Sequence, residues 1–591
     1  MKNRGSSLGR YEVLLPWGAT LLLYMIFCIS GRLYGDWDNY YVAIVVNGLL
    51  GYNNLCQYQH PLLCVMMGLV KLVLPAADCF TFSIHVLLIA AIAFMITIFR
   101  TRYSGKTQRA LLWAAVVYLA WGIEIWNVNY TVWAAFFCFT GMLGLFGNPE
   151  EKQGRKIIGT LFFMLGLMLR HQAGLLFLPY IGLAALCEMS FFRGKDSVKN
   201  RLLVLRRLLP LMIGIVLIMG SRVVFYSIEP WKSGWEYDKA RVKVVDFPMS
   251  SWDTLEENAV SDLDRLLYKG ARRWMYADTE LVTRENLLRM AEAGSMRRFD
   301  PDLMGIARGL HYMGKVIWHY PLEVFIPLLF LLFLVGVKCF TERKTWIGLL
   351  MTLTGSIVII LFFVMLGRAP IRVWLCVILA AFGTICVMDP TGKEEGDHSE
   401  KSGTDAKAFK IIGMSAALLL GISAVVCLIC SGGLHRFETV CLAAKGAEEK
   451  SFSAVYGTDI RYLVCGWGEE EEEDNSVIID NMYGWNRMLK HYMDQAKLPS
   501  SEFFRHYLSS GWWCYGQEYY LSLLRELQVE NPVRALVEKD EVYLLDMSED
   551  SLFREFFYVY LYDHYGDMLV KKIGTVDEYP IYRFRKEKEE K

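Results

Sequence analysis

Asp36 and Asp38 stand two residues apart, just beyond the first apolar run of the chain, and His60-Pro61 follows a little further on. Glu124 closes another apolar run beside Trp126, Asn127, Asn129 and Tyr130, and Arg170-His171-Gln172 interrupts two more. Arg222 sits near the end of a long apolar segment, and Arg368 and Arg372 bracket the sequence GRAPIR. Ionisable groups at membrane depth are costly and tend to be functional. Carboxylates of this kind do acid–base or metal work. The planar arginine fork binds two oxygens of a phosphate or similar anionic headgroup at once. Together they describe a polar pocket at a membrane surface. The plainer alternatives are that each arginine anchors a helix end by snorkelling, that the aspartates cap a helix over 39–50, and that His85 is a packing residue.

The elements that must position these groups are membrane helices. The chain has 591 residues, 54% hydrophobic and 21% charged, with the apolar residues concentrated in the first 432 positions. A bilayer core takes roughly 20 mostly apolar residues per helix. Eleven segments qualify as candidate spans, at about 12–30, 82–99, 110–123, 130–147, 156–169, 173–187, 208–228, 321–338, 345–366, 371–389 and 411–431. The apolar stretch 61–75 carries Lys71 between Pro61 and Pro75 and reads as an interfacial or re-entrant helix. With the N-terminus inside, the short inside segments hold 23 Lys and Arg; the short outside ones hold only Arg32, Lys71, Arg170, Arg368 and Arg372. The positive-inside rule therefore places the N-terminus in the cytoplasm. The pocket residues and two larger segments then fall outside.

The expected organisation is mostly α: a polytopic helical bundle with an extracytoplasmic α/β domain at its C-terminus. The parts are a membrane module over 1–228 with its first outside loop at 31–81, an outside helical insert at 229–320, further spans within 321–431, and the outside domain at 432–591. A polar, glycine-bearing stretch at 390–408 reads as a linker. Lys+Arg and Asp+Glu are both 62, so there is no basic excess to mark a nucleic-acid partner. Neither a phosphate-binding GxxxxGK[ST] loop nor paired CxxC motifs with zinc spacing occur. The 14 cysteines fall mostly in apolar runs and read as small buried residues.

The first outside loop runs Gly35-Asp36-Trp37-Asp38-Asn39-Tyr40-Tyr41-Val42-Ala43, then Asn47-Gly48-Leu49-Leu50-Gly51, then Tyr58-Gln59-His60-Pro61-Leu62-Leu63. This resembles the C-type membrane glycosyltransferases (GT-C fold), in the branch of the protein mannosyltransferases and lipid A aminoarabinose transferases. That branch carries an acidic pair after the first span, a Tyr-Tyr-like helix, a glycine-bearing turn and a His-Pro-Pro-Leu-like surface helix. Here Trp37 separates Asp36 from Asp38, or Asn39 replaces the second acid, and Leu62 replaces the second proline. The spacing to Tyr40-Tyr41 favours Asp38 as the catalytic counterpart, with Asp36 second.

The resemblance implies sugar transfer from a polyprenyl-phosphate donor to a glycan, lipid or protein acceptor at the outer face, in a bacterial plasma membrane. Asp38 or Asp36 would act as general base. Arg170, Arg368 or Arg372 would stabilise the departing lipid phosphate; His171, His60, Glu124 and Arg222 complete the expected donor site. Some relatives use a divalent metal and others do not, and the sequence leaves this open. A transporter or flippase of a lipid-linked or anionic substrate is the competing reading, and a receptor or assembly scaffold a third. A transporter should gather its polar residues near the bilayer midplane, whereas here they gather at the outer edge.

In the C-terminal domain, strands are expected at Arg461–Cys465, Ser476–Asp480, Glu541–Leu545 and Ile581–Arg585, and helices at 484–495, 516–528 and 550–564. Helices are also expected at 254–268 and 284–293 in the insert. The acidic run Glu469–Asp474 reads as a solvated loop, and Cys465 and Cys514 could pair in an oxidising exterior.

Overall fold

The computed structural model describes residues 37–50, 55–75, 78–102, 129–146, 153–191, 197–247, 275–294, 303–319, 346–366, 369–388, 461–465, 498–509, 515–547, 551–576 and 579–586, with isolated positions at 267–268, 271, 324, 328, 331, 489 and 492–493. Outside the described residues lie the expected spans 12–30, 110–123 and 411–431 and nearly all of 321–338. So do Asp36, Glu124, Arg368, the linker 390–408, the acidic run, the strand Ser476–Asp480, Cys514, and most of the helices 254–268 and 484–495.

The membrane part begins with α1 (Trp37–Val46), α2 (Pro61–Val73), α3 (Cys79–Arg102), α4 (Tyr130–Leu145) and α5 (Gln153–Leu169). It continues with α6 (His171–Leu176), α7 (Leu178–Phe191) and α8 (Ser197–Phe225). Among the described residues four segments are long and apolar enough to cross a membrane: Cys79–Phe99, His171–Met189, Arg201–Phe225 and Trp346–Met365. Expected spans 130–147 and 371–389 appear as the shorter apolar helices Tyr130–Leu145 and Ile371–Val387. Faces such as Leu209, Ile213, Val216 and Leu217 of α8 are exposed and apolar. That is the composition of a multi-pass membrane protein.

Helix α4 is the centre of the bundle and is buried along nearly its whole length. It packs on α5 through small residues. A Cβ on Gly141 would come within 2.7 Å of Gly159 O, and one on Gly144 within 2.7 Å of Gly159 Cα. Backbones this close are how helices pack tightly where apolar side chains gain nothing over lipid. Helix α2 exposes Leu62, Met66, Leu69 and Val73 while burying Leu63, Cys64 and Met67. This split suits a helix lying along a membrane surface. Cys56, Cys64, Cys79, Cys138, Cys376 and Cys386 are buried, as small apolar residues are.

The first outside loop differs from one expectation. Helix α1 starts at Trp37, so Asp38 lies in its first turn and is not a cap for a helix beginning at 39. Likewise the predicted span 173–187 begins at His171 and is divided at Phe177 into α6 and α7.

Four further helices follow α8: α9 (Trp231–Val245), α10 (Arg284–Gly294), α11 (Leu303–His319) and α12 (Trp346–Met365); then comes α13 (Ile371–Val387). The C-terminal part contains β1 (Arg461–Cys465), α14 (Ser501–His506), β2 (Tyr507–Ser509), α15 (Glu518–Glu526), α16 (Pro532–Glu538), β3 (Val542–Asp546), α17 (Ser551–Tyr565), β4 (Met568–Val576) and β5 (Tyr579–Lys586). The sheet has the order β2-β1-β3-β5-β4. Strand β1 runs parallel to β2 and β3, and β5 antiparallel to β3 and β4, so the domain is α/β.

Asp278 joins the insert to this domain. Its Oδ1 accepts from Glu280 N (3.1 Å), Leu281 N (3.2 Å) and Asn531 Nδ2 (2.9 Å). Its Oδ2 accepts from the hydroxyls of Tyr560 and Tyr565, the latter at 2.9 Å. A buried carboxylate is tolerated when its lone pairs are met in this way.

Candidate functional site

The starts of α1, α4 and α13 converge. Asn129 caps α4 by accepting from Thr131 N (2.7 Å). Asn39 of α1, 1% exposed, accepts from Tyr130 N at 2.6 Å. Pro370 precedes α13 and sets Arg372 in its first turn. The result is an ion pair: Arg372 Nη1 donates to Asp38 Oδ2 at 2.8 Å, with both side chains partly exposed. Two residues 334 positions apart are thus joined, and a carboxylate is held in a fixed orientation.

Arg170 lies between α5 and α6. Its guanidinium sits 5.1 Å from the centre of the Tyr58 ring and 5.4 Å from that of Tyr130, and Nη1 donates to Tyr130 Oη at 3.2 Å. The two tyrosines are themselves stacked, with centroids 6.3 Å apart. Ring faces attract the cation without neutralising it. Among the described residues no carboxylate pairs with Arg170. Tyr130 lies within electrostatic range of Asp38 and Arg372 as well as Arg170, which places the two arginines around one space.

The segment 56–60 passes beneath this space. His60 N donates to Met168 O at 2.7 Å. Its Nδ1 accepts from Leu62 N at 3.2 Å and so caps α2. Its Nε2 therefore carries the proton, and lies 3.0 Å from Ser221 Oγ and 3.2 Å from Ile218 O. Burial lowers the pKa of His60 from its ordinary value, and the nearby Arg222 adds to the effect. The ring stays neutral near pH 7.

Arg222 is buried and turned toward the backbone. Nη2 donates to Gln57 O at 2.8 Å and Nη1 to Gln59 O at 3.2 Å, while the guanidinium lies against Tyr226 and Trp235 at 4.8 and 5.1 Å. Its geometry is that of a clamp on 57–59. His171 lies within electrostatic reach of both Arg170 and Arg222, and its Nδ1 is buried without a partner among the described residues. The side-chain amides of Gln57 and Gln59, 3% and 0% exposed, are also unsatisfied at both oxygen and nitrogen.

Of the expected site residues, the structure brings Asp38 and Arg372 into contact and gathers Arg170, His171, His60 and Arg222 around segment 57–60. Sequence reasoning missed Gln57, and it quoted Gln59, Tyr58 and Tyr130 without giving them a role. Neutral amides carry no charge signal, and only burial reveals them. Among the described residues no group of His, Cys, Asp and Glu could hold a metal ion.

No family model matches the sequence, and no curated protein matches it. Among solved structures, the crystal structure of ArnT from Cupriavidus metallidurans in the apo state matches over 98% of each chain, at 10% sequence identity and a TM-score of 0.35. At that TM-score the likeness supports no conclusion about this chain.

Proposed function

We propose that the chain is a membrane glycosyltransferase that moves a sugar from a polyprenyl-phosphate donor to an acceptor at the outer face of the membrane. The observation that carries the reading is the Asp38–Arg372 pair beside Arg170, a cation with no carboxylate partner among the described residues. A base and two cations are what an acceptor hydroxyl and a departing phosphate require. The donor has to be lipid-linked, because nucleotide sugars are absent outside the cell.

In the reaction, the acceptor hydroxyl attacks the anomeric carbon while Asp38 takes its proton. The bond between that carbon and the phosphate oxygen breaks, and the lipid phosphate leaves with an added negative charge. Arg170 stabilises that charge, as preorganised donors do in a site of low dielectric. Arg372 orients Asp38 in the resting state and lies close enough to share the phosphate. A single displacement inverts the anomeric carbon. The amides of Gln57 and Gln59, without partners among the described residues, suit the hydroxyls of a neutral sugar, which both donate and accept.

The test uses the purified full chain in nanodiscs with the polyprenyl-phosphate sugars extracted from its own membrane, read by mass spectrometry. Release of free polyprenyl phosphate together with a glycosylated acceptor is the expected result. Asp38→Asn should slow that release by roughly 10²–10⁴-fold, the usual contribution of a general base. A turnover equal to wild type would remove Asp38 from the mechanism, and no release from any donor would remove the reading.

A further inference from the structure

The insert reaches the site just described through Trp235, which lies against Arg222, and a continuous set of contacts leads from the sheet domain to Arg170. We infer that the C-terminal domain sets the geometry of the membrane site through α9, with Arg241 as a positioning residue that holds Tyr58 beneath Arg170. The inference rests on the proposed function only for what Arg170 does; the mechanical link is independent of it.

Arg241 is 3% exposed and lies among carboxylates of its own helix and the turn after it. Its Nε and Nη2 donate to Asp238 Oδ1 at 3.0 and 2.9 Å, and Nη1 is 3.8 Å from Asp246 Oδ1. A buried ion cluster of this kind is weak support for stability, since apolar residues of similar volume often do as well. It does place a donor where an apolar residue could not. Nη2 also reaches Tyr58 Oη, 3.4 Å away and 183 positions earlier in the chain. Burial pushes the Tyr58 phenol well above its usual pKa, so the hydroxyl remains protonated and accepts from Arg241 through a lone pair. The same ring is stacked on Tyr130 and lies under the Arg170 guanidinium.

The other end of α9 is held by the sheet domain. Gln517, 4% exposed, donates from Nε2 to Gly234 O at 2.7 Å. Gly516 has a φ of +85°, and a Cβ there would come within 2.4 Å of the Tyr237 ring. Only glycine lets this turn seat on α9. Gly234, Tyr237 and Arg241 are spaced at i, i+3 and i+7, along one side of the helix. A displacement of the Gly516-Gln517 turn therefore moves Arg241, then Tyr58, then the platform under Arg170.

The test combines two readouts on the full chain in nanodiscs. In the transfer assay, Arg241→Lys and Tyr58→Phe should each raise the donor KM by about fivefold or more, and the double variant should be no worse than the weaker single, because both remove one link. Effects that multiply would overturn the link between Arg241 and Tyr58. Hydrogen–deuterium exchange of the peptide spanning 55–60 needs no knowledge of the substrate. Gln517→Ala should speed exchange there while leaving α4 and α5 unchanged. Unchanged exchange at 55–60 would overturn the route from the C-terminal domain. Faster exchange in a protein that transfers no sugar would keep the route and discard the proposed reaction.

Discussion

Asp278 and Gln59 are both buried polar side chains at junctions between distant elements, and their surroundings treat them in opposite ways. Asp278 receives donors from two backbone amides, an asparagine and two tyrosines. Among the described residues Gln59 finds a partner for neither of its amide atoms, and neither does Gln57. An unsatisfied buried polar group costs about 1–3 kcal/mol. The two clusters thus differ: Asp278 is a satisfied joint between two parts, while the amides of Gln57 and Gln59 lie beside the site proposed above for the sugar. The cations differ in the same sense. Arg241 lies among carboxylates, while Arg170 is cradled by two aromatic rings.

The largest effect expected from breaking the comparison is at the joint. Asp278→Ala leaves Asn531, Tyr560 and Tyr565 facing a void, and should destabilise the packing of insert on sheet domain by about 3 kcal/mol or more, since each buried donor left unsatisfied costs about 1–3 kcal/mol. Thermal unfolding in detergent and protease release of the C-terminal domain would both register it. Arg170→Gln should lower sugar transfer by roughly 10²-fold, the scale of one lost charge-stabilising donor, with the unfolding midpoint unchanged.

The sharpest contrast comes from Gln59→Met. Removing unsatisfied amide atoms should raise stability by about 1 kcal/mol or more while transfer falls about tenfold. The same kind of polar-to-apolar change at Asp278 moves stability the other way. A loss of stability in Gln59→Met would erase the distinction between the clusters.

The smallest effect concerns pH. The folded-state pKa of His60 is lowered from 6.5 by burial and then by Arg222. The unfolded chain therefore takes up the proton first as pH falls below 6.5, and stability should decline there, down through the folded pKa. His60→Asn keeps a capping oxygen for α2 and lacks the titrating ring. It should flatten the fall in melting temperature between neutral and mildly acidic pH.

Several of these residues are legible in the sequence. Asp38, Arg170, His171 and Arg372 stand out because charge is rare beside apolar runs. Three of the expected strands were legible from short β-rich apolar runs, and match β1, β3 and β5. Strand β4 was hidden because Lys571-Lys572 breaks its apolar pattern, as suits a strand at the sheet edge. Strand β2 has only three residues, too few to show a period. Arg222 was legible as a buried cation, but whether such a group faces a ligand or the backbone is decided by tertiary contacts with residues 163 and 165 positions away. Gln57 and the pairing of Arg241 with Tyr58 were hidden for the same reason.

The central claim is that Asp38 takes the acceptor proton in a transfer from a lipid-linked sugar. Its most direct test is the mass-spectrometric profile of lipid-linked sugars and surface glycans in cells lacking the protein, rescued by wild type or by Asp38→Asn. One polyprenyl-phosphate sugar should accumulate and one glycan, lipid or protein should lose a single sugar, with only wild type restoring both. Full rescue by Asp38→Asn, or a profile indistinguishable from that of the parent cells, would contradict the account.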